Sequence, residues 1–428
     1  MGSRAFTGFL REAHEPPGLV TWGGEQSGWD EIAHKAHGLA SHLEPGGTYH
    51  VDPREGLASL VGLMAVRQVE RTRILWVAAD LGGSAPVSGI AELNVPGMPG
   101  VDRPLWGVAT SGTTSSPKIA LGYSDEWEDI VRLQAKGIYD PAFPSGEYGF
   151  ATHLPIQFSA AFFMLVLPAM LLRRDLTVTT PVDWAPVLAA QDRAEQFFLS
   201  APSVMAAACS SETSSPQLHR TVVVLGGGHL GRGRVQMIRE RTGAKRVWNI
   251  YGTAETGCLS IDEDPGHGTH VGRPIPGKKI WAHGDGQDSR IAAEGADCCA
   301  FLWTPGTEVT AVDLPVSADL GRLDPHGHIV LEGRVDGTVK LRGRLVDLRS
   351  IERHLLHLDG VHDVSVRVVE RADGLDGLAA RVVGTVTSKN IWAHGTGTDG
   401  VVLNEIECLA ERDAAHLYSD NGKLQRKA

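Results

Sequence analysis

Between Val108 and Lys118 the chain reads VATSGTTSSPK, a run of small hydroxyl side chains around one glycine, closed by a Pro-Lys pair. Thr110, Ser111, Gly112, Thr113, Thr114, Ser115 and Ser116 are small enough for a turn to fold around an anion. Hydroxyls and backbone N–H groups then converge on phosphate oxygens, and Lys118 adds a mobile point charge. A solvated Ser/Thr loop has the same composition, so the segment alone leaves both readings open. It is not a Walker loop, because GxxxxGK[ST] is absent and Ile119 follows Lys118.

Three further segments carry groups suited to nucleotide chemistry: NIYGTAETG at Asn249–Gly257, SADLGRLDPHGHIVLEGRVDGTVKLRG at Ser317–Gly343, and NGKLQR at Asn421–Arg426. Each has an ordinary reading beside the functional one. Glu255 suits a helix N-cap, Asp319 suits a turn, and Lys423 suits solvated surface. An Asn-Gly turn before Lys423 can equally thrust that side chain into a cleft. Gly226, Gly227 and Gly228 follow a β-branched run and fit either a plain turn or a flat ligand lying on the backbone.

In this order and at these separations the four segments resemble those of the adenylate-forming (AMP-binding) enzymes, the superfamily of acyl-CoA synthetases, aryl-acid and acyl adenylating ligases, peptide-synthetase adenylation domains and luciferase. The resemblance runs from about residue 105 to the C-terminus. It implies an ATP- and Mg²⁺-dependent ligase in which a carboxylate oxygen attacks the α-phosphate while pyrophosphate leaves. Bringing two anions together makes electrostatics the main task.

By the same resemblance, Thr110, Ser111, Gly112, Thr113, Thr114 and Lys118 hold the β- and γ-phosphates. Asn249, Tyr251, Gly252 and Thr253 lie along the nucleotide, with Tyr251 against the adenine, and Gly227 and Gly228 belong to the same site. Glu255 is the Mg²⁺ ligand, a hard oxygen for a hard cation. Asp319 accepts from the ribose hydroxyls, with Arg334 a second ribose or phosphate contact. Lys423 is the catalytic lysine bridging carboxylate and α-phosphate, and Asp336 is the hinge of a domain alternation that brings Lys340–Gly343 to the acceptor thiol. Two positions depart from the family pattern: Ser115 stands where a second glycine is common, and Ala254 where a threonine usually precedes the glutamate.

The acid pocket is expected around His153, Gln157, Phe158 and Gly226. Amino-acid-activating relatives place an Asp after the equivalent Phe to hold the substrate ammonium, whereas here Ser159 follows Phe158. A buried ammonium without its counter-charge is costly, so an aryl or acyl acid lacking an α-amino group is expected. The chain ends five residues after Lys423, so the acceptor, CoA or a free-standing carrier protein, is expected in trans. Two other readings stand beside this one. One keeps the first step and uses an amine or another nucleophile as acceptor; the other is a nucleotide- or acyl-binding relative without turnover, motivated by Ser115 and Ala254. The joint presence of Glu255, Asp319, Asp336 and Lys423 argues against the last.

The elements that must hold these residues follow from length and hydropathy. A chain of 428 residues calls for two or three domains. Net charge is -11 with acids and bases interspersed, and no basic block is present to follow a nucleic-acid backbone. Five cysteines, an odd count with no CxxC pair or ligand spacing with histidine, fit a reducing cytoplasm and no structural zinc. The N-terminus MGSRAF has no signal-peptide core, and Phe6 stands where a myristoylation motif needs Ser or Thr. The apolar run Phe158–Leu172 is too short for a membrane span and reads as a buried helix interrupted by Pro168.

The expected fold class is α/β. GWDEIAHKAHGLASHL and GLASLVGLMAVRQ read as helices and RILWVAA as a buried strand. Between residues 145 and 260, short apolar runs alternate with helical stretches, as in a largely parallel sheet whose ligands lie beyond strand C-termini. A large N-terminal domain is expected over 1–335, with a β-rich subdomain at about 275–335, followed by a small mobile α+β domain over 336–428. The hinge is expected in Gly333–Gly337, and TVTSKNIWAHGTGTDG near 385–400 reads as a loop.

Overall fold

The computed structural model describes residues 18–87, 89–95, 97–98, 102–110, 118–210, 216–227, 230, 232–265, 270–284, 289–334, 338–341, 344–356, 358–397, 400–414 and 417. The chain divides into two compact units, Met1–Glu332 and Gly333–Ala428.

In the first unit six parallel strands run side by side in the order Leu19–Trp22, Leu176–Val178, Tyr148–Thr152, Glu195–Ser200, Thr221–Gly226 and Arg246–Thr253. Antiparallel strands Glu25–Gly28 on one side, and Gly257–Asp262 with Arg273–Pro274 on the other, complete a nine-stranded sheet. The inner strands are buried on both faces through most of their length, as expected of a sheet covered on both sides. Phe150, Phe197, Leu199, Val222, Val224 and Ile250 face one core. Ala151, Phe198, Val223, Leu225 and Val247 face the other, against Val187, Met205, Val235 and Ile238 of the helices Ala185–Arg193, Pro202–Ser210 and Arg232–Thr242.

The first core also takes Val51, Trp76, Trp106 and Val108 from an eight-stranded sheet and residues of the helices Trp29–Ala40, Leu57–Arg67 and Trp127–Gln134. The apolar run that begins at Phe158 lies in this core. It folds as Ser159–Ala161, a wide π turn over Phe162–Val166 and the helix Leu167–Leu172. Pro168 supplies no N–H to the preceding turn, and a π turn at that point accommodates the missing bond.

The β-rich stretch divides between two sheets. Lys279–His283, Arg290–Glu294, Val316–Leu323 and Ile329–Arg334 form a four-stranded sheet, whereas Phe301–Trp303 and Thr310–Ala311 cross to the edge of the eight-stranded one beside Ile119–Tyr123. No helix among the described residues is long and apolar enough to cross a membrane.

The second unit pairs Val361–Glu370 antiparallel with Asp376–Gly384, which is in turn parallel to Glu405–Leu409. Leu348, Ile351 and Leu355 of the helix Leu348–Leu356 pack on Val364, Val366, Leu378 and Ala380. The stretch expected as a loop near 385–400 contains a helix, Ser388–His394. Thr387 and Asn390 close a reciprocal capping box, Ile391 is fully buried and Gly395 ends the helix at φ 73°. A parallel connection needs such a crossover. The sequence expectation missed it because seven residues are too few to display a helical period.

Candidate active site

Of the residues singled out for chemistry, His153, Gly226, Asn249, Tyr251, Gly252 and Thr253 lie at or just beyond the C-terminal ends of the parallel strands, where ligands of such sheets tend to bind. Gly226 ends Thr221–Gly226 in register with Ile250, and an added Cβ there would meet Ile250 Cγ1 at 2.9 Å. Gly227 has φ 74°, a conformation that favours glycine. Asn249 is buried, and its Oδ1 has no hydrogen-bond partner among the described residues. An incoming ligand N–H would satisfy that oxygen.

Glu255 stands at the apex of a hairpin. Arg246–Thr253 runs out, residues 254–256 turn, and Gly257–Asp262 returns antiparallel with Thr253 opposite Gly257. The chain makes no helix N-terminus here, so Glu255 is not a helix cap. The turn is tied internally: the Thr253 and Thr256 hydroxyls lie 3.0 Å apart, and each accepts from the other residue's N–H. Thr253 therefore commits its hydroxyl to the turn. Ala254, the departure from the family pattern, is buried in the first core.

Behind this turn is a support that the sequence did not reveal. Lys278 Nζ pairs with Asp297 Oδ1 at 2.6 Å, with both side chains shut off from water. The ammonium also donates to the Thr256 carbonyl and, at 3.0 Å, to that of Cys258. Asp297 Oδ2 accepts the Cys258 N–H at 2.9 Å, and the Cys299 N–H donates to the Glu255 carbonyl at 2.8 Å. Gly257 has φ 65°, and a Cβ on it would fall 2.1 Å from Asp297 Oδ2. In the sequence Lys278 sits in PGKK, which looks like an exposed turn; the one visible signal was the glycine after TAET.

Burial foremost, with Glu255 beside it, pushes the Cys299 thiol up to about 12, while Lys118 acts in the opposite sense. Lys118 also closes the hairpin of Leu105–Ala109 and Ile119–Tyr123, its carbonyl accepting the Thr110 N–H at 2.7 Å. Ser111, Gly112, Thr113 and Thr114 of the hydroxyl loop lie outside the described residues.

Tyr251 and Asp319, 68 positions apart, are joined: the phenol donates to Asp319 Oδ2 at 2.9 Å. Asp319 lies within the strand Val316–Leu323 and not in a turn. Gly252 is exposed beside Tyr251, where a Cβ would meet the Gly257 carbonyl at 2.2 Å. His153 follows the strand Tyr148–Thr152 and is already engaged. Its Nε2 lies 2.5 Å from Ser200 Oγ, and its ring packs edge-on to Trp184 and Phe198. Burial pulls its imidazole down to about 4. Gln157 and Phe158 are half-buried just before the helix Ser159–Ala161. Arg334 ends the strand Ile329–Arg334, and Gly228, Asp336 and Lys423 lie outside the described residues.

A glycine-edged strand end, a carboxylate on a braced turn and a Tyr–Asp hydrogen bond thus sit on one mixed α/β scaffold. The sequence pattern of the AMP-binding enzyme family matches residues 60–289, more than half of the chain, and the chain belongs to this family of adenylate-forming ligases.

Tyrocidine synthase 2 of Brevibacillus parabrevis is 26% identical over 359 residues, 75% of this chain and 10% of that protein. Tyrocidine synthase 3 of the same organism is 24% identical over 396 residues, 86% of this chain and 6% of that protein. The chain thus spans a tenth or less of the length of these curated relatives. Among solved structures, ATP-bound MatB from Rhodopseudomonas palustris is similar with a TM-score of 0.60 at 16% identity, over 100% of this chain and 98% of that one. A double mutant of o-succinylbenzoate CoA synthetase from Bacillus subtilis gives 0.62 at 14%, over 99% and 97%. The amide bond synthetase McbA from Marinactinospora thermotolerans gives 0.61 at 17%, over 99% and 98%. At these identities the likeness is one of fold.

Proposed function

We propose that the chain activates a carboxylic acid with ATP, forming an acyl-adenylate and releasing pyrophosphate, and then passes the acyl group to the thiol of CoA or of a free-standing carrier protein. The observation that carries this reading is the Tyr251–Asp319 hydrogen bond, set beside the braced turn of Glu255. It holds a carboxylate acceptor for two ribose hydroxyls next to an aromatic face for a base. The unpartnered Asn249 oxygen and the Cβ-free edge of Gly226 suit an adenine with its exocyclic amino group.

Glu255 would hold Mg²⁺, whose charge would offset that of the phosphates. The chain's own residues do the positioning. Thr110, Ser111, Gly112, Thr113, Thr114 and Lys118 would hold the departing pyrophosphate, Asp319 and Arg334 would fix the ribose, and Lys423 would steady the attacking carboxylate oxygen. That oxygen forms the new bond to the α-phosphorus as the bond to pyrophosphate breaks, so no further proton acceptor is needed in this step. His153 supports the acid pocket through Ser200, and Gln157, Phe158 and Gly226 line it. With Ser159 in place of a carboxylate, the acid carries no α-amino group.

Asp336 would serve as the hinge between adenylation and transfer. The CoA-linked name of one solved relative supports a thiol acceptor, and the amide bond synthetase favours an amine as the second reading. Pyrophosphate exchange with a panel of aryl and aliphatic acids tests the first step: exchange that Lys423→Ala abolishes supports it, and none with any acid sinks it. Thioester formation with CoA or a carrier protein, followed by mass, then decides between thiol and amine.

A further inference from the structure

A second cluster lies in the first unit, on residues that the adenylation reading leaves unused. His270, Asp324 and His328 each turn one ligand atom toward the others, all within 4.8 Å. The Nδ1 atoms of both histidines are 3.9 Å from the same oxygen, Asp324 Oδ2. We propose that these three side chains bind one divalent cation of the zinc type, independent of the nucleotide site.

The backbone builds this arrangement. DPHGH at 324–328 folds as a tight turn, with the Gly327 N–H donating to the Asp324 carbonyl at 2.9 Å and Gly327 at φ 80°. Asp324 Oδ1 accepts the N–H groups of His326 at 2.8 Å and His328 at 2.9 Å. These bonds fix the carboxylate and leave Oδ2 as the oxygen shared by the two imidazoles. His270 is held opposite by a β-bridge to Val330 and by the Val271 N–H bond to the Ile329 carbonyl at 3.0 Å. Orientation of a ligand by its neighbours is what a metal site requires beyond the ligands themselves.

Size and charge agree with this reading. A tetrahedral zinc ion with bonds of about 2.1 Å sets its ligand atoms roughly 3.4 Å apart. Rotating two imidazoles that are 43% and 45% exposed closes the remaining distance. His270 and His328 border an open cleft of about 490 Å³ that is also lined by Asp262, Glu263, Asp264 and Arg273. Arg273 pairs with Glu263 at 2.9 Å and Arg239 lies 3.9 Å from Asp264, so three carboxylates face two guanidinium groups here, a balance that favours a cation. Two imidazoles with one carboxylate select zinc, cobalt or nickel over Mg²⁺, and three protein ligands leave positions for water from the cleft. The cysteine count carried no trace of this site, because no cysteine takes part.

The test is a titration of the full chain with Co²⁺ alone, followed by visible absorption, and with Zn²⁺ in competition with a chromophoric chelator. One equivalent is expected, with d–d bands that Zn²⁺ removes. His270→Ala and His328→Ala should each weaken binding by about tenfold or more. Asp324→Asn keeps an oxygen for the two N–H donors, so it should fold and still lose affinity. Pyrophosphate exchange without added zinc should stay unchanged in all three, which separates this proposal from the adenylation reading. Absence of a stoichiometric Co²⁺ spectrum, or uptake equal in wild type and variants, overturns it.

Discussion

The Lys278 ammonium lies 2.6 Å from the Asp297 carboxylate, both buried, directly behind the turn that carries Glu255. Two charges withdrawn from water remain compatible with folding when each is paired and hydrogen-bonded. Here the remaining bonds go to the backbone of Thr256 and Cys258, so the pair fixes the turn from within.

Removing one partner therefore leaves an uncompensated buried charge. Lys278→Met or Asp297→Leu should each lower unfolding free energy by roughly 3–5 kcal/mol, and the double variant should lose less than the sum. Urea unfolding of the three variants measures this, and additive losses would refute the coupling. Gly257→Ala should also destabilise, because its Cβ would collide with the same carboxylate and its φ is positive.

The Tyr251–Asp319 bond makes a narrower prediction. Tyr251→Phe keeps the ring and removes the donor to Asp319, at a net cost of about 1 kcal/mol. The KM for ATP in pyrophosphate exchange should rise by up to about tenfold, with kcat little changed. Asp319→Ala should do more, since it removes the ribose acceptor itself. A Tyr251→Phe enzyme that lost kcat at unchanged KM would contradict this role.

His153 gives stability a pH dependence. Burial holds its imidazole at about 4 against an ordinary 6.5. As pH falls the unfolded chain takes the proton first, so this contribution is complete above about 6.5 and is lost down to about 4. The full loss is on the order of 3 kcal/mol. Urea midpoints at neutral and acid pH should show a shallower dependence in His153→Gln than in wild type; equal slopes would assign the effect elsewhere.

In the second unit, Thr387→Ala should cost about 1 kcal/mol by removing the cap of Ser388–His394. Amide exchange over that helix should quicken, and Thr387→Ser should restore protection. Unchanged exchange in the alanine variant would mean that burial of Ile391 alone holds the helix.

Much of the scaffold is legible in the sequence. TVVVLG, RVWNIYG and QFFLS show the β-branched and aromatic enrichment of strands covered on both faces, and TSGTTSSPK, YGTAETG and SADLG mark the family by local chemistry. Those signals survive in one dimension because periodicity and motif spacing are properties of neighbouring residues. The helix Ser388–His394 marks the limit, since its cap is two residues and its period less than two turns.

What the tertiary structure alone decided are pairings between distant positions. Phe301–Ala311 leaves its sequence neighbours for another sheet, Asp319 meets Tyr251 from 68 positions away, and Lys278 meets Asp297 at the shared end of the paired strands Lys279–His283 and Arg290–Glu294. His270 meets Asp324 and His328 because a β-bridge to Val330 holds its segment beside the turn at 324–328. Composition fixes which groups are present, but the order in which strands pair fixes which groups meet. That order is set by burying both faces of a sheet at once, a condition imposed on the whole chain and written in no single segment of it.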